Sequence, residues 1–123
     1  MSGRLSDEFR QRVKGFAAGT IRLFVKLPKQ RDEAQILGKQ LLRSGTSVAA
    51  HVREASCARS DAEFVSKLGG AAQEADESSL WLELLREECG ISSQLTEPLE
   101  KESFELIAIF TTMIKKTKLK GET

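Results

Sequence analysis

Apolar residues recur along this chain at steps of three and four, the spacing that puts side chains on one face of an α-helix. Four such stretches stand between breaks. In the first, about Ser6 to Lys26, Phe9, Val13, Phe16, Thr20, Phe24 and Leu27 share a face. Ser6 predicts an N-cap, and Asp7 and Glu8 suit the positive end of the helix dipole. Leu27-Pro28 ends the segment, because proline disfavours helical backbone at the residue before it. In the second, about Gln30 to Ala55, the stripe is Leu37, Leu41, Ser44/Gly45, Val48 and Val52. Gly38 and Gly45 each cost about 1 kcal/mol of helix propensity there. Close approach by a neighbouring helix would offset that cost.

The third stretch has the cleanest rhythm. Ser60-Asp61-Ala62-Glu63 reads as a capping box at its start. From Asp61 to Cys89, Phe64, Leu68, Ala71, Ala75, Ser78, Leu82, Leu85 and Cys89 alternate steps of four and three. This 3.5-residue period predicts near-parallel packing with a left-handed twist, and Gly90 is a helix stop. The fourth runs from about Glu97 to Lys118, with Thr96 as its cap and Pro98 in its first turn. Its stripe is Leu99, Ser103, Leu106, Phe110, Met113 and Thr117, and Lys115, Lys116 and Lys118 lie at the negative end of its dipole. Four helices with short connections predict an all-α fold, an antiparallel up-down-up-down four-helix bundle forming a single domain over residues 1–123.

Composition agrees with that architecture. The chain has 123 residues, only two prolines and no tyrosine, which suits one helical core and not a small all-β fold. No apolar run approaches the ~20 residues that span a bilayer, and no signal-peptide pattern opens the chain. With two cysteines, Cys57 and Cys89, the expectation is a cytoplasmic protein without a disulfide framework or a membrane partner.

Net charge is +1, which excludes a simple polybasic nucleic-acid binder. Its distribution is uneven: residues 1–59 carry +7, residues 60–105 carry −9 and residues 106–123 carry +3. Such segregation predicts that oppositely charged elements meet, within a chain or between copies. The basic residues of the first two segments would then pair with the acidic third helix. The alternative is contact with RNA phosphates through Arg10, Lys14, Arg22, Lys26 and Arg59.

Catalytic chemistry finds little support. His51 and Glu54 share a helix face, but there is one His only, and di-iron bundles need two Glu-x-x-His motifs and two further Glu. Cys57 lies in a turn beside Arg59 without a nearby base, and Cys89 lies on the core stripe. The pairs Glu74/Glu77 and Glu83/Glu87 read as a salt-bridged or solvated face. Gly69-Gly70 lacks the pattern of a phosphate loop. No catalytic residue, metal or cofactor is expected. Leu80, Trp81, Leu84 and Leu85 make the third helix apolar on more than one side, which predicts subunit contact and a homo-oligomer.

Residues 43–55, Arg-Ser-Gly-Thr-Ser-Val-Ala-Ala-His-Val-Arg-Glu-Ala, resemble the helix-two signature of the bacterial four-helix bundle family, also called the 23S rRNA intervening-sequence protein family. Ala58-Arg59-Ser60, Glu63-Phe64, Lys67-Leu68, Glu74 to Glu77 and Trp81 to Leu85 fit the same pattern, as do Phe16-Ala17, Leu27-Pro28 and Gln40-Leu41. The likeness covers roughly residues 7–90, and His51 stands where the signature usually has Asn. It implies an antiparallel bundle, a ring-like homopentamer and no enzymatic activity. It also implies RNA or a protein as partner, since a related retroelement accessory protein is a basic pentamer that binds nucleic acid and a reverse transcriptase. The family's polar signature falls on Arg43, Ser44, Ser47, His51, Arg53 and Glu54.

Overall fold

A computed structural model of the protein describes residues 3–121. Four helices are present: α1 (Asp7–Lys26), α2 (Asp32–Ser56), α3 (Asp61–Cys89) and α4 (Ser93–Gly121), with no strand among the described residues. Each helix packs on its neighbours in order, α1 on α2, α2 on α3, α3 on α4 and α4 back on α1. α1 and α3 therefore lie on one diagonal of the bundle and α2 and α4 on the other. No helix of the described residues is long and apolar enough to cross a membrane.

The local signals explain most of the boundaries. Ser6 accepts the Phe9 N–H and Ser60 accepts the Glu63 N–H, each replacing an intrahelical partner that the first turn lacks. Gly90 ends α3 in the left-handed region at φ 67°, and the Ile91 N–H turns back to the Leu85 carbonyl. The start of α4 departs from the pattern: the helix begins at Ser93, with Ser92 Oγ accepting the Gln94 N–H. Thr96 is therefore a fully buried residue within the helix and not its cap. Pro98 is tolerated because it faces solvent, where the carbonyl left without a partner is exposed to water.

All eight α3 stripe positions are buried. In α1 the deep position is Leu23, while Phe24 is half-exposed. The core divides into two clusters. One holds Val13, Phe16, Val48, Val52, Phe64, Leu68, Leu106 and Phe110; the other holds Leu23, Leu27, Leu41, Leu82, Leu85 and Cys89. Each helix contributes a fully buried hydroxyl to the interior, Thr20, Ser44, Ser78 and Ser103, and α4 adds Thr96 as a second. Thr20, Ser44, Ser78 and Ser103 donate to carbonyls of their own helices, and Ser44 and Ser78 also lie 2.8 Å apart across the α2–α3 contact. These four hydroxyls are each satisfied, whereas Thr96 Oγ1 is buried without a hydrogen-bond partner.

Ion pairs tie the outer edges. Arg12 grips Glu102 through two N–H bonds of 2.8 Å, joining α1 to α4. Arg86 grips Glu100 through two bonds of 3.0 Å, joining α3 to α4. The hydrogen bonds from Arg86 hold the Glu100 carboxyl below its ordinary range, against the opposing effect of burial. A carboxyl depressed on folding stabilises the fold fully above its unfolded value, and that contribution is lost as pH falls through the folded value. The destabilisation caused by Glu100→Gln, read from urea midpoints, is therefore expected to be constant above the ordinary glutamate range, about pH 5, and to shrink as pH falls below it. A difference that stays constant throughout would show that the pair adds nothing to stability.

Candidate functional site

The signature residues of α2 assemble into a polar seam against α3. Antiparallel packing brings Arg43 to Glu77 (3.1 Å) and to Glu74 (3.5 Å). Glu54 receives Lys67 at 3.1 Å and lies 3.8 Å from His51 Nδ1. Ser44 is one of the buried hydroxyls described above, and Ser47 is half-buried without a side-chain partner. His51 fits because α3 has Gly70 opposite it: a Cβ there would sit 2.8 Å from the ring Cε1. Two atoms of the seam are buried without a hydrogen-bond partner, His51 Nδ1 and Glu74 Oε1. Arg53 leaves this seam altogether and points to the other flank of α2, towards α1.

Sequence reasoning placed Arg43, Ser44, His51 and Glu54 together but not their partners. Glu74 and Glu77, three apart and flanking one turn, were the available signal for Arg43. Gly70 lies in a run of small residues whose role as a cradle depends on which helix comes to rest against it.

The charged faces correct the expectation that the basic segments pair with α3. Arg43 does so through side chains, and Arg4, just ahead of α1, pairs with Asp61 at the start of α3 at 2.8 Å; the other basic residues of the first two segments form no ion pair with α3. Arg10 bonds Asp7 on its own helix, and Arg31 bonds Glu33 and the carbonyl of Cys89. Lys14, Arg22, Lys26, Arg53 and Arg59 have no ion pair among the described residues. The reason is topological: α1 and α3 are diagonal, so the basic face of α1 cannot reach the acidic face of α3 in the same chain.

The apolar patch is also smaller than its sequence suggests. Leu85 is fully buried in the second core cluster and is not available to another subunit. Trp81 and Leu84 are half-buried along α3, and the Trp81 indole N–H is buried without an acceptor. Leu80 is the outward member, 45% exposed.

Over residues 7–112 the chain matches the 23S rRNA-intervening sequence protein family. The chain belongs to that family. The match runs past residue 90 and includes most of α4, so the fourth helix is part of the family pattern. A solved structure from Bacteroides thetaiotaomicron, described as a protein of unknown function from the S23 ribosomal protein family, shares 35% identity. It superposes with a TM-score of 0.76 over 86% of this chain and 94% of that one. No curated protein matches the chain.

Proposed function

We propose that this family member is a non-enzymatic scaffold that self-associates head to tail, with the outer face of α1 in one copy seated on the outer face of α3 in the next. The observation that carries this reading is the charge left unpaired across the diagonal. On α1, Arg22 and Lys26 flank the exposed apolar residues Ile21 (47%) and Val25 (68%). On α3, Asp76 and Glu83 flank exposed Leu80. An apolar centre with a positive rim meets an apolar centre with a negative rim, which favours association and sets its register. Two different faces make a heterologous contact, which closes into a ring when the rotation permits. The family resemblance supports five copies. The neutral sum of such a ring's faces makes a protein partner the favoured cargo.

Sedimentation velocity at micromolar concentration and low salt tests this. The wild-type chain is expected to run as a discrete oligomer of about five copies. Arg22→Glu with Lys26→Glu should give monomer, as should Asp76→Lys with Glu83→Lys, and mixing the two variants should restore a larger species. A wild-type monomer, or reversals that leave the mass unchanged, would overturn the reading. A monomer that retains RNA at low salt through Arg22 and Lys26 would instead support phosphate contact as the role of these cations.

A further inference from the structure

The N-terminal half of α1 and the C-terminal half of α2 enclose a cleft of about 490 Å³, within the size range of small-molecule sites. This cleft lies at the other end of α1 from Ile21 and Val25, so it is distinct from the proposed subunit contact. Arg10, Gln11 and Lys14 line it from α1, and Arg53 lines it from α2. Its apolar lining is Ala49, Ala50 and Val52. Two carboxylates also border it, but both are already engaged. Asp7 accepts from Arg10 at 3.2 Å, and Glu54 accepts from Lys67 at 3.1 Å. Lys14 and Arg53 are left with no ion pair or hydrogen bond among the described residues. In addition, Arg10 Nε is buried and its N–H has no acceptor.

We infer that this cleft binds a phosphomonoester carried on a small organic body. The inference combines three requirements. A buried donor without a partner is costly and is satisfied by an acceptor oxygen. Two uncompensated cations match the charge of a phosphate monoester, which is near −2 at neutral pH. Arginine and lysine together suit it: the planar guanidinium can donate two parallel N–H bonds to phosphate oxygens and the ammonium acts as a point charge. The small side chains Ala49 and Ala50 leave room beside these donors, and Val52 adds apolar surface for the carrier. The volume exceeds what a bare phosphate fills, so the carrier contributes to selection.

Isothermal titration with a nucleoside monophosphate, its unphosphorylated nucleoside and inorganic phosphate tests the site on the full chain. The monophosphate is expected to bind saturably with one site per chain, the nucleoside not at all, and inorganic phosphate more weakly than the monophosphate. Lys14→Gln and Arg53→Gln, both at exposed positions, should each weaken binding about tenfold, the loss of one charge-assisted hydrogen bond. Ala50→Phe, also at an exposed position, should abolish binding by filling the cleft while leaving every charge in place. Lys39→Gln and Lys115→Gln, exposed and away from both the cleft and the proposed subunit contact, should leave it unchanged. Circular dichroism confirms that each variant is folded. No binding at millimolar monophosphate and low salt would overturn the proposal. So would binding indifferent to Ala50→Phe, or binding weakened equally by Lys39→Gln, since either would mean diffuse charge in place of a site. None of these readings depends on the oligomeric state, so failure of self-association and failure of the cleft are separate results.

Discussion

Phe110→Ala is expected to cost about 3–5 kcal/mol of folding free energy, the range for deleting a fully buried aromatic ring. Phe110 is completely buried in the first core cluster. Its ring meets Phe9 edge to face, with centroids 5.9 Å apart and planes at 83°. That geometry aligns the positive ring edge with the negative face and adds about 0.5–1.5 kcal/mol beyond area burial. The pair also joins α4 to the start of α1, and α1–α4 is the most sparsely packed of the four helix contacts. The Arg12 pairs with Glu102 and Glu105 and the seating of Leu99 against Gly19 complete that edge. A domain of this size is stable by about 5–15 kcal/mol in total, so the loss would consume much of it. Urea unfolding followed by circular dichroism, at one fixed protein concentration because assembly would add stability, measures the effect. Phe104 is the internal comparison, since it lies on the same helix and is 59% exposed. Phe104→Ala should change stability by no more than about 0.5 kcal/mol. Equal costs at the two positions would mean that α4 is not seated through this face.

The same contrast shows what could be read from the sequence. Phe104 and Phe110 differ by six residues, and the four-three rhythm of Ser103, Leu106 and Phe110 already assigned the second to the core. The period was sharpest in α3, whose eight stripe positions are all buried. It was weaker where large apolar residues are adjacent, as at Leu23 and Phe24, because two neighbouring positions lie only one-third of a turn apart and packing chooses between them. The α4 start was misplaced for a local reason. Pro98 resembles a first-turn proline, yet Ser92 supplies an earlier cap and the proline is merely on the wet side. Cross-helix partners were legible only in part: acidic α3 was an evident partner for Arg43, but which other residues pair was not. Charge totals correctly marked α1 as basic and α3 as acidic, but pairing depends on which helices are adjacent, and the ring order keeps those two apart. The cleft was equally hidden: Arg10 and Lys14 share one face of α1, but Arg53 is far from them in sequence, and only antiparallel α1–α2 packing brings it to the same opening.

Gly45→Ala is expected to destabilise the fold by up to about 2 kcal/mol, although alanine is the better helix former by about 1 kcal/mol. A Cβ at Gly45 would lie 2.6 Å from Thr20 Cγ2 and 2.8 Å from Thr20 Oγ1. Thr20 has nowhere to retreat: it is fully buried, and its hydroxyl is fixed at 2.7 Å to the Ala17 carbonyl. The helices must therefore move apart, and overpacking of that kind costs about 1–3 kcal/mol. Gly69 gives the opposite outcome. Nothing stands within 4 Å of a Cβ there, and its position inside α3 makes Gly69→Ala stabilising by up to about 1 kcal/mol. One substitution thus changes sign between two helix interiors according to what the missing methyl would touch. Combining Gly45→Ala with Thr20→Ala isolates the cause. Removing both Thr20 atoms nearest the new methyl should make the double variant at least about 1 kcal/mol more stable than the two single effects predict together. Simple additivity would place the determinant of α1–α2 spacing elsewhere. Coupling of the expected sign would mean that buried Thr20 also sets the close approach of α1 and α2.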